Sequence, residues 1–237
     1  MSTNTHAQTA VITGGSKGIG LGIAHALASA GYNIVIAARD RAALAEAEKQ
    51  IAQSGAGVMA SAVDVRDYAA VEKLMQDAAG RFGGIDVLVN NAGVGRFAAV
   101  DEMSLDDWHT VIDTNLNAAF YCTRAALPYL RKSPNAYVIN ISSLAGKNWF
   151  AGGAAYCASK AGLNAFSESL MQDVRQHDIR VSYVMPGSVN TAFNFMGSAQ
   201  ADWKLTAEDV AEVVLDLVRT NTRALASRVE MRPSKPR

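Results

Sequence analysis

Cysteine is scarce in this chain: Cys122 and Cys157 are the only two in 237 residues, far apart and both inside helical patterns. That excludes a disulfide scaffold and a cysteine metal knuckle, and both thiols are expected to be free. The four histidines, His6, His25, His109 and His177, show none of the close His/Cys/carboxylate spacings of a zinc site, so no metal is assigned. Charge of one sign is missing too, since 22 basic residues balance 22 acidic ones. Neither a nucleic-acid footprint nor a trap for acidic substrates follows from that balance, and specificity must come from a site. No apolar run is long enough to span a bilayer, and residues 1–8 are polar, with neither a basic n-region nor an apolar stretch. These absences point to a soluble, unexported, cytoplasmic protein without nucleic-acid or membrane partners. Proline- and serine-rich linkers are also lacking, so one domain over 1–237 is expected, with 1–7 and 232–237 as flexible tails.

What is present is alternation. Short apolar runs at 9–13, 33–38, 58–63, 85–89, 137–141, 181–185 and 224–231 predict seven strands. Between them, helical periodicity follows Gly20 and recurs over 42–51, 68–79, 111–130 and 210–218, and again after Tyr156. Nearly continuous apolar strands alternating with helices predict an α/β fold, a doubly wound parallel sheet covered on both faces. In such a sheet ligands bind outside the carboxyl ends of the strands. Gly14, Arg39, Asp64, Asn91 and Ser143 all fall there, so five strand ends converge on one crevice.

Two stretches carry chemistry. Gly14-Gly15-Ser16-Lys17-Gly18-Ile19-Gly20 joins the first strand to the first helix. Glycine lets the backbone turn sharply and approach a pyrophosphate, while free amides at a helix N-terminus face its charge. The spacing Gly-x-x-x-Gly-x-Gly is not the usual Gly-x-Gly-x-x-Gly fingerprint. Tyr156 and Lys160 lie four apart on one helix face, which places an ammonium beside a phenol. A nearby cation favours the phenolate, so Tyr156 is expected to exchange a proton nearer neutral pH. Ser143 follows the fifth strand, where its hydroxyl would lie beside that phenol. Asn115, inside the helical run 111–130, needs either a hydrogen-bond partner or a task.

Together, Thr13-Gly14-x-x-x-Gly18-x-Gly20, Asn90-Asn91-Ala92-Gly93, Asn115, Ser143, Tyr156-x-x-x-Lys160 and Pro186-Gly187-x-Val189-x-Thr191 resemble the short-chain dehydrogenase/reductase family over nearly the whole chain. The resemblance implies hydride transfer between a nicotinamide cofactor and a carbonyl or alcohol. Tyr156 would be the general acid/base, Lys160 would hold the nicotinamide ribose and tune the phenol, and Ser143 would orient the carbonyl. Ser143 lies thirteen residues before Tyr156, the family's usual separation; Ser142 is the alternative. Asn115 would hold a water that links Lys160 to solvent. Ser16 to Gly20 would line the pyrophosphate, Asp64 with Val65 would meet the adenine, and Asn91 to Gly93 the adenosine ribose side. Pro186, Gly187, Val189 and Thr191 would hold the carboxamide end.

NAD-specific relatives end the second strand with an aspartate, and the matching residue here is Ala38. Arg39 and Lys17 instead offer two cations to a 2′-phosphate, so the implied cofactor is NADP(H). The layout looks like that of 3-oxoacyl carrier-protein reductases; small ketones, quinones or sugars are the alternative substrates. Phe97, Trp149, Phe150, Phe193 and Phe195 are candidate pocket residues. The loop between Pro186 and the helix entry at Thr206 is short, which suggests an open pocket. Ala118, where many relatives have glycine, Ala119, Phe120, Ala161, Ala165 and Phe166 suggest a helix-packed homo-oligomer, a tetramer by resemblance or else a dimer. A cofactor-binding protein without turnover would show a broken catalytic set, yet Asn115, Ser143, Tyr156 and Lys160 are all present.

Overall fold

A computed structural model describes residues 7–191 and 201–235. In chain order the elements are β1 (Thr9–Thr13), α1 (Gly18–Ser29), β2 (Asn33–Ala38), α2 (Arg41–Ala52), β3 (Val58–Ala62), α3 (Tyr68–Phe82) and β4 (Val87–Asn90). There follow α4 (Leu105–Ile112), a π-helical turn (Asp113–Asn117), α5 (Ala118–Leu130), β5 (Tyr137–Ile141), α6 (Ala154–Val174), β6 (Arg180–Pro186), α7 (Ala207–Arg219) and β7 (Arg228–Met231). All strand pairs are parallel, in the order β3-β2-β1-β4-β5-β6-β7. The order reverses between β1 and β4, which opens a crevice above their carboxyl ends.

The apolar runs form the seven strands, and the five central ones, β2, β1, β4, β5 and β6, are buried on both faces, while the edge strands β3 and β7 are partly exposed. Two core layers cover the sheet. Ile23 and Leu27 of α1, Leu44 and Ile51 of α2, and Val210 and Val214 of α7 cover one face. Val71 and Leu74 of α3, Cys122 and Leu130 of α5, and Leu170 and Val174 of α6 cover the other. Helix entries follow local capping: Asp40 accepts from the amides of Ala42 and Ala43, Asp67 from Ala69 and Ala70, and Thr206 with Asp209 forms a capping box. Gly83, with φ of +86°, ends α3 in the left-handed conformation.

Several boundaries differ from the periodic pattern, β3 ending at Ala62 and β6 running over Arg180–Pro186 among them. The run 111–130 is not one helix: Ala118 donates to the carbonyl of Asp113, an i to i−5 bond that marks a π turn. Asn115 lies in that turn and is tied to another segment, which periodicity cannot reveal. Of the run 224–231 only the last four residues pair, because Ala224 folds back on the Asn221 carbonyl (2.8 Å). The fourth strand begins at Val87 and includes Asn90, two residues later than its first apolar residue. Ala118 and Ala119 face the core and offer no surface for a partner, which corrects that part of the oligomer expectation.

Candidate active site

Gly14, Arg39, Asp64, Asn91 and Ser143 follow the carboxyl ends of strands, whereas Asn115 lies in the π turn and Tyr156 and Lys160 on α6. Gly14 leaves β1 with φ of +65°, and Gly18 opens α1 with φ of +55°. Between them Gly14 donates to the Ala37 carbonyl at 2.7 Å, which folds the turn against β2. A Cβ on Gly20 would stand 2.3 Å from the Gly14 carbonyl oxygen, so only glycine lets α1 begin this close to the turn. Ser16 is buried, Ile19 packs on the core and Lys17 is exposed at the N-cap. No side chain caps α1 and its first turn holds no acid, so its free amides can receive an anion.

After β4, Asn91 donates its side-chain amide to the carbonyls of Thr13 (2.9 Å) and Gly14 (3.2 Å). The Thr13 hydroxyl accepts from the amides of Asn91 and Ala92, both at 3.0 Å. Asn91 thus braces the glycine turn against the central strands. Arg39 follows β2, exposed and free of ion pairs among the described residues. Its charge reaches Asp64 beyond β3 and adds to the fall in that carboxyl's pKa, whose first cause is the hydrogen bond from Arg66. The Arg66 guanidinium grips both carboxylate oxygens, Nη2 standing 2.6 Å from Oδ2. The Val65 side chain is buried in the core.

The chemical centre lies at the end of β5 and the start of α6. Ser143 hydrogen-bonds the Tyr156 hydroxyl, and its Oγ also accepts from the Ala145 amide at 3.1 Å. Ser142 is occupied elsewhere, donating to Asn164 Oδ1 at 2.5 Å, which favours Ser143 as the site serine. Lys160 is buried, its Nζ donating to the Ile141 carbonyl at 2.9 Å and lying 5.9 Å from the Tyr156 ring centre. Burial lowers its pKa to about 8. The same burial pushes the Tyr156 phenol up to about 12, with the Ser143 hydrogen bond opposing. This corrects the expected direction: desolvation dominates the phenol, and what opposes it is the Ser143 hydrogen bond rather than the Lys160 ammonium.

Asn115 is fully used. Its Oδ1 accepts from the Val94 amide (2.8 Å), and its Nδ2 donates to the Val94 carbonyl (2.9 Å) and to Ser159 Oγ (3.0 Å). Gly93 fits between it and the lysine: a Cβ there would stand 3.3 Å from Asn115 Oδ1 and 3.7 Å from Lys160 Nζ. After β6, the Gly187 amide donates to Met231 at 2.9 Å, and Val189 bridges to Leu205. Asn190 exchanges two side-chain hydrogen bonds with Ala201, joining the two ends of the loop, and Thr191 lies over Gly18. Phe193 and Phe195 lie outside the described residues.

Residues 8–202 match the family model described as short chain dehydrogenase. The chain belongs to the short-chain dehydrogenase family. An uncharacterized oxidoreductase of Staphylococcus saprophyticus is 32% identical over 231 residues, covering 95% of this chain and 97% of that protein. A metagenomic short-chain oxidoreductase, solved in complex with NADP, superposes with a TM-score of 0.85 at 38% identity, covering 97% and 98% of the two chains. An alcohol dehydrogenase from the archaeon Thermococcus sibiricus, solved with 5-hydroxy-NADP, gives 0.91 at 28% identity and covers 98% of each.

As a short-chain dehydrogenase the protein is an oxidoreductase, and its crevice fits a dinucleotide. The positive-φ glycines and the uncapped amides of α1 are suited to a pyrophosphate. No described helix is long and apolar enough to cross a membrane, and no described group of three or more His, Cys, Asp or Glu could hold a metal. Both cysteines are buried and free. Sequence reasoning missed Arg66, although its place two residues after Asp64, with its amide on Asp64 Oδ1 at 3.0 Å, is a local turn signal. It also missed Ser159, whose tie to Asn115 spans 44 residues of sequence. Glu230 gave no signal: it meets Lys147 across 83 residues of sequence (2.7 Å) and also pairs with Arg232.

Proposed function

We propose that this short-chain dehydrogenase is an NADPH-dependent carbonyl reductase, also able to run the reverse oxidation. The observation that carries the proposal is the hydrogen bond between half-buried Ser143 and the buried Tyr156 phenol, beside buried Lys160 at the strand end facing the glycine turn. When bound, the nicotinamide cofactor supplies the hydride, so the protein's part is position and the proton. Ser143 and Tyr156 offer two polar atoms to one carbonyl oxygen. Tyr156 gives its proton to that oxygen as charge develops there; a phenol at about 12 stays protonated at neutral pH and is still far more acidic than an alcohol. Lys160 holds the ribose side and, being buried, concentrates positive charge under the phenol. The Asn115 amide has no free donor, so a water returning protons to Lys160 would rest on the backbone of the π turn. Asp64 would share its carboxylate between Arg66 and the adenine amine.

Preference for NADP is supported by Ala38, by Arg39 and Lys17, which form no ion pair among the described residues, and by the NADP-type ligands in both solved relatives. Two substrate classes fit this chemistry: 3-oxoacyl thioesters, and small ketones, quinones or sugars. Purified protein with NADPH and a panel of ketones, aldehydes and 3-oxoacyl thioesters, followed by loss of nicotinamide absorbance, tests the proposal. Oxidation of NADPH that depends on a carbonyl supports it, and none with any member rejects it.

We also propose a homotetramer. Phe120, 46% exposed, meets Phe166 edge-on at 6.3 Å, leaving an apolar face on α5 and α6. A monomer by light scattering would reject this.

A further inference from the structure

Apart from the two core layers there is a third, small apolar cluster, and it surrounds the phenol. Tyr156, Cys157 and Ala145 are buried in it, with Phe97 and Phe150 packed against them. Phe97 meets the Tyr156 ring edge-on, centroids 5.6 Å apart at 65°, and Phe150 stands 6.0 Å from Phe97. The two phenylalanines come from different strand ends, Phe97 from the segment after β4 and Phe150 from the segment after β5. The Ala98 amide donates to the Gly152 carbonyl at 3.0 Å and joins those segments. A Cβ on Gly153 would strike the Phe150 ring at 2.5 Å, so glycine there lets the ring lie against the start of α6. An aromatic wall is thus built beside the proton donor, apart from the two sheet-covering core layers.

Charge on the same two segments is cancelled. Arg96, next to Phe97, pairs with Asp107 at 3.1 Å, and Lys147 pairs with Glu230 at 2.7 Å. Thioesters of coenzyme A or of a carrier protein bring phosphates, and these need unpaired cations at the mouth. Here Arg96 and Lys147 each have a carboxylate beside them, which repels a phosphate. An aromatic wall does suit a flat apolar group, through offset or edge-on ring contact and burial from water.

We propose that Phe97 is a specificity-determining residue, and that with Phe150 it selects uncharged ketones carrying an aryl or other flat apolar group beside the carbonyl. The inference rests on the carbonyl-reductase reading and names its substrate class. The test compares kcat/KM, with saturating NADPH, for acetophenone, a small aliphatic ketone and acetoacetyl-coenzyme A. Wild type is expected to favour acetophenone over the thioester by about tenfold or more. Phe97→Ala should raise KM for acetophenone by about tenfold while leaving the aliphatic ketone and the NADPH Kd nearly unchanged. Phe97→Leu, which keeps apolar volume without the ring, should fall between them and guards against a folding defect. Asp107→Asn with Glu230→Gln, which frees both cations, should raise turnover of the thioester alone. A wild type that prefers acetoacetyl-coenzyme A, or a Phe97→Ala effect equal for all three substrates, overturns the inference and leaves the reductase standing. Absence of turnover with every substrate, in protein that still binds NADPH, overturns both.

Discussion

Lys160 donates its buried ammonium to the carbonyl oxygen of Ile141, 2.9 Å away at the last residue of β5. One hydrogen bond thereby pins the helix that carries Tyr156 to the strand that leads to Ser143, and fixes the distance between proton donor and carbonyl holder. It also keeps a cation where burial opposes it, which is why its pKa falls to about 8.

A pH profile should expose that cost. Below about 8 the ammonium is present, and above it the charge is lost, while the Tyr156 phenol, at about 12, stays protonated throughout. With saturating NADPH, kcat for reduction should be level on the acid side and fall above about pH 8, approaching tenfold per pH unit for a single essential proton. A kcat that rises through the same range would contradict this assignment.

Gly93 separates Asn115 from Lys160, so its replacement is a local probe of both. In Gly93→Ala the new methyl, 3.3 Å from Asn115 Oδ1, must shift that amide by a few tenths of an ångström, while it meets Lys160 Nζ at ordinary contact distance. A stability loss of about 1 kcal/mol is expected from such overpacking. The fall in kcat should be larger than that figure converts to, because the disturbed amide serves the proton path. Thermal unfolding and steady-state kinetics on one preparation distinguish the two; loss of stability with unchanged kcat would remove Asn115 from the mechanism.

Cofactor choice is open to a direct swap. Charge-assisted contacts are worth about 1.5 to 3 kcal/mol each, so Arg39 or Lys17 alone should favour NADPH over NADH by about tenfold or more. Ala38→Asp with Arg39→Ala should invert the ratio of the two kcat/KM values. A wild type that prefers NADH, or a ratio unmoved in the double variant, would show that other residues choose the cofactor.

Much of the frame was readable because it depends on local patterns. Strands at Thr9–Thr13, Asn33–Ala38 and Tyr137–Ile141 begin and end where the apolar runs do, since parallel strands buried on both faces leave an unbroken apolar record. The Asp40, Asp67 and Thr206 caps stand at helix entries for equally local reasons. What stayed hidden depends on distant partners. The π turn holds Asn115 against Val94, the Lys147–Glu230 pair joins a loop to the last strand, and the pKa of Tyr156 reflects how much protein covers it. A helical repeat records which face is apolar; it does not record how deeply the helix sinks.

Tyr156→Phe tests the central claim most directly, because it removes one hydroxyl and keeps the ring that packs against Phe97. NADPH affinity, read from cofactor fluorescence, should change little, while kcat for carbonyl reduction should fall by about a hundredfold to ten-thousandfold, the usual worth of a general acid. Turnover in that variant comparable to wild type, with cofactor still bound, would contradict the account.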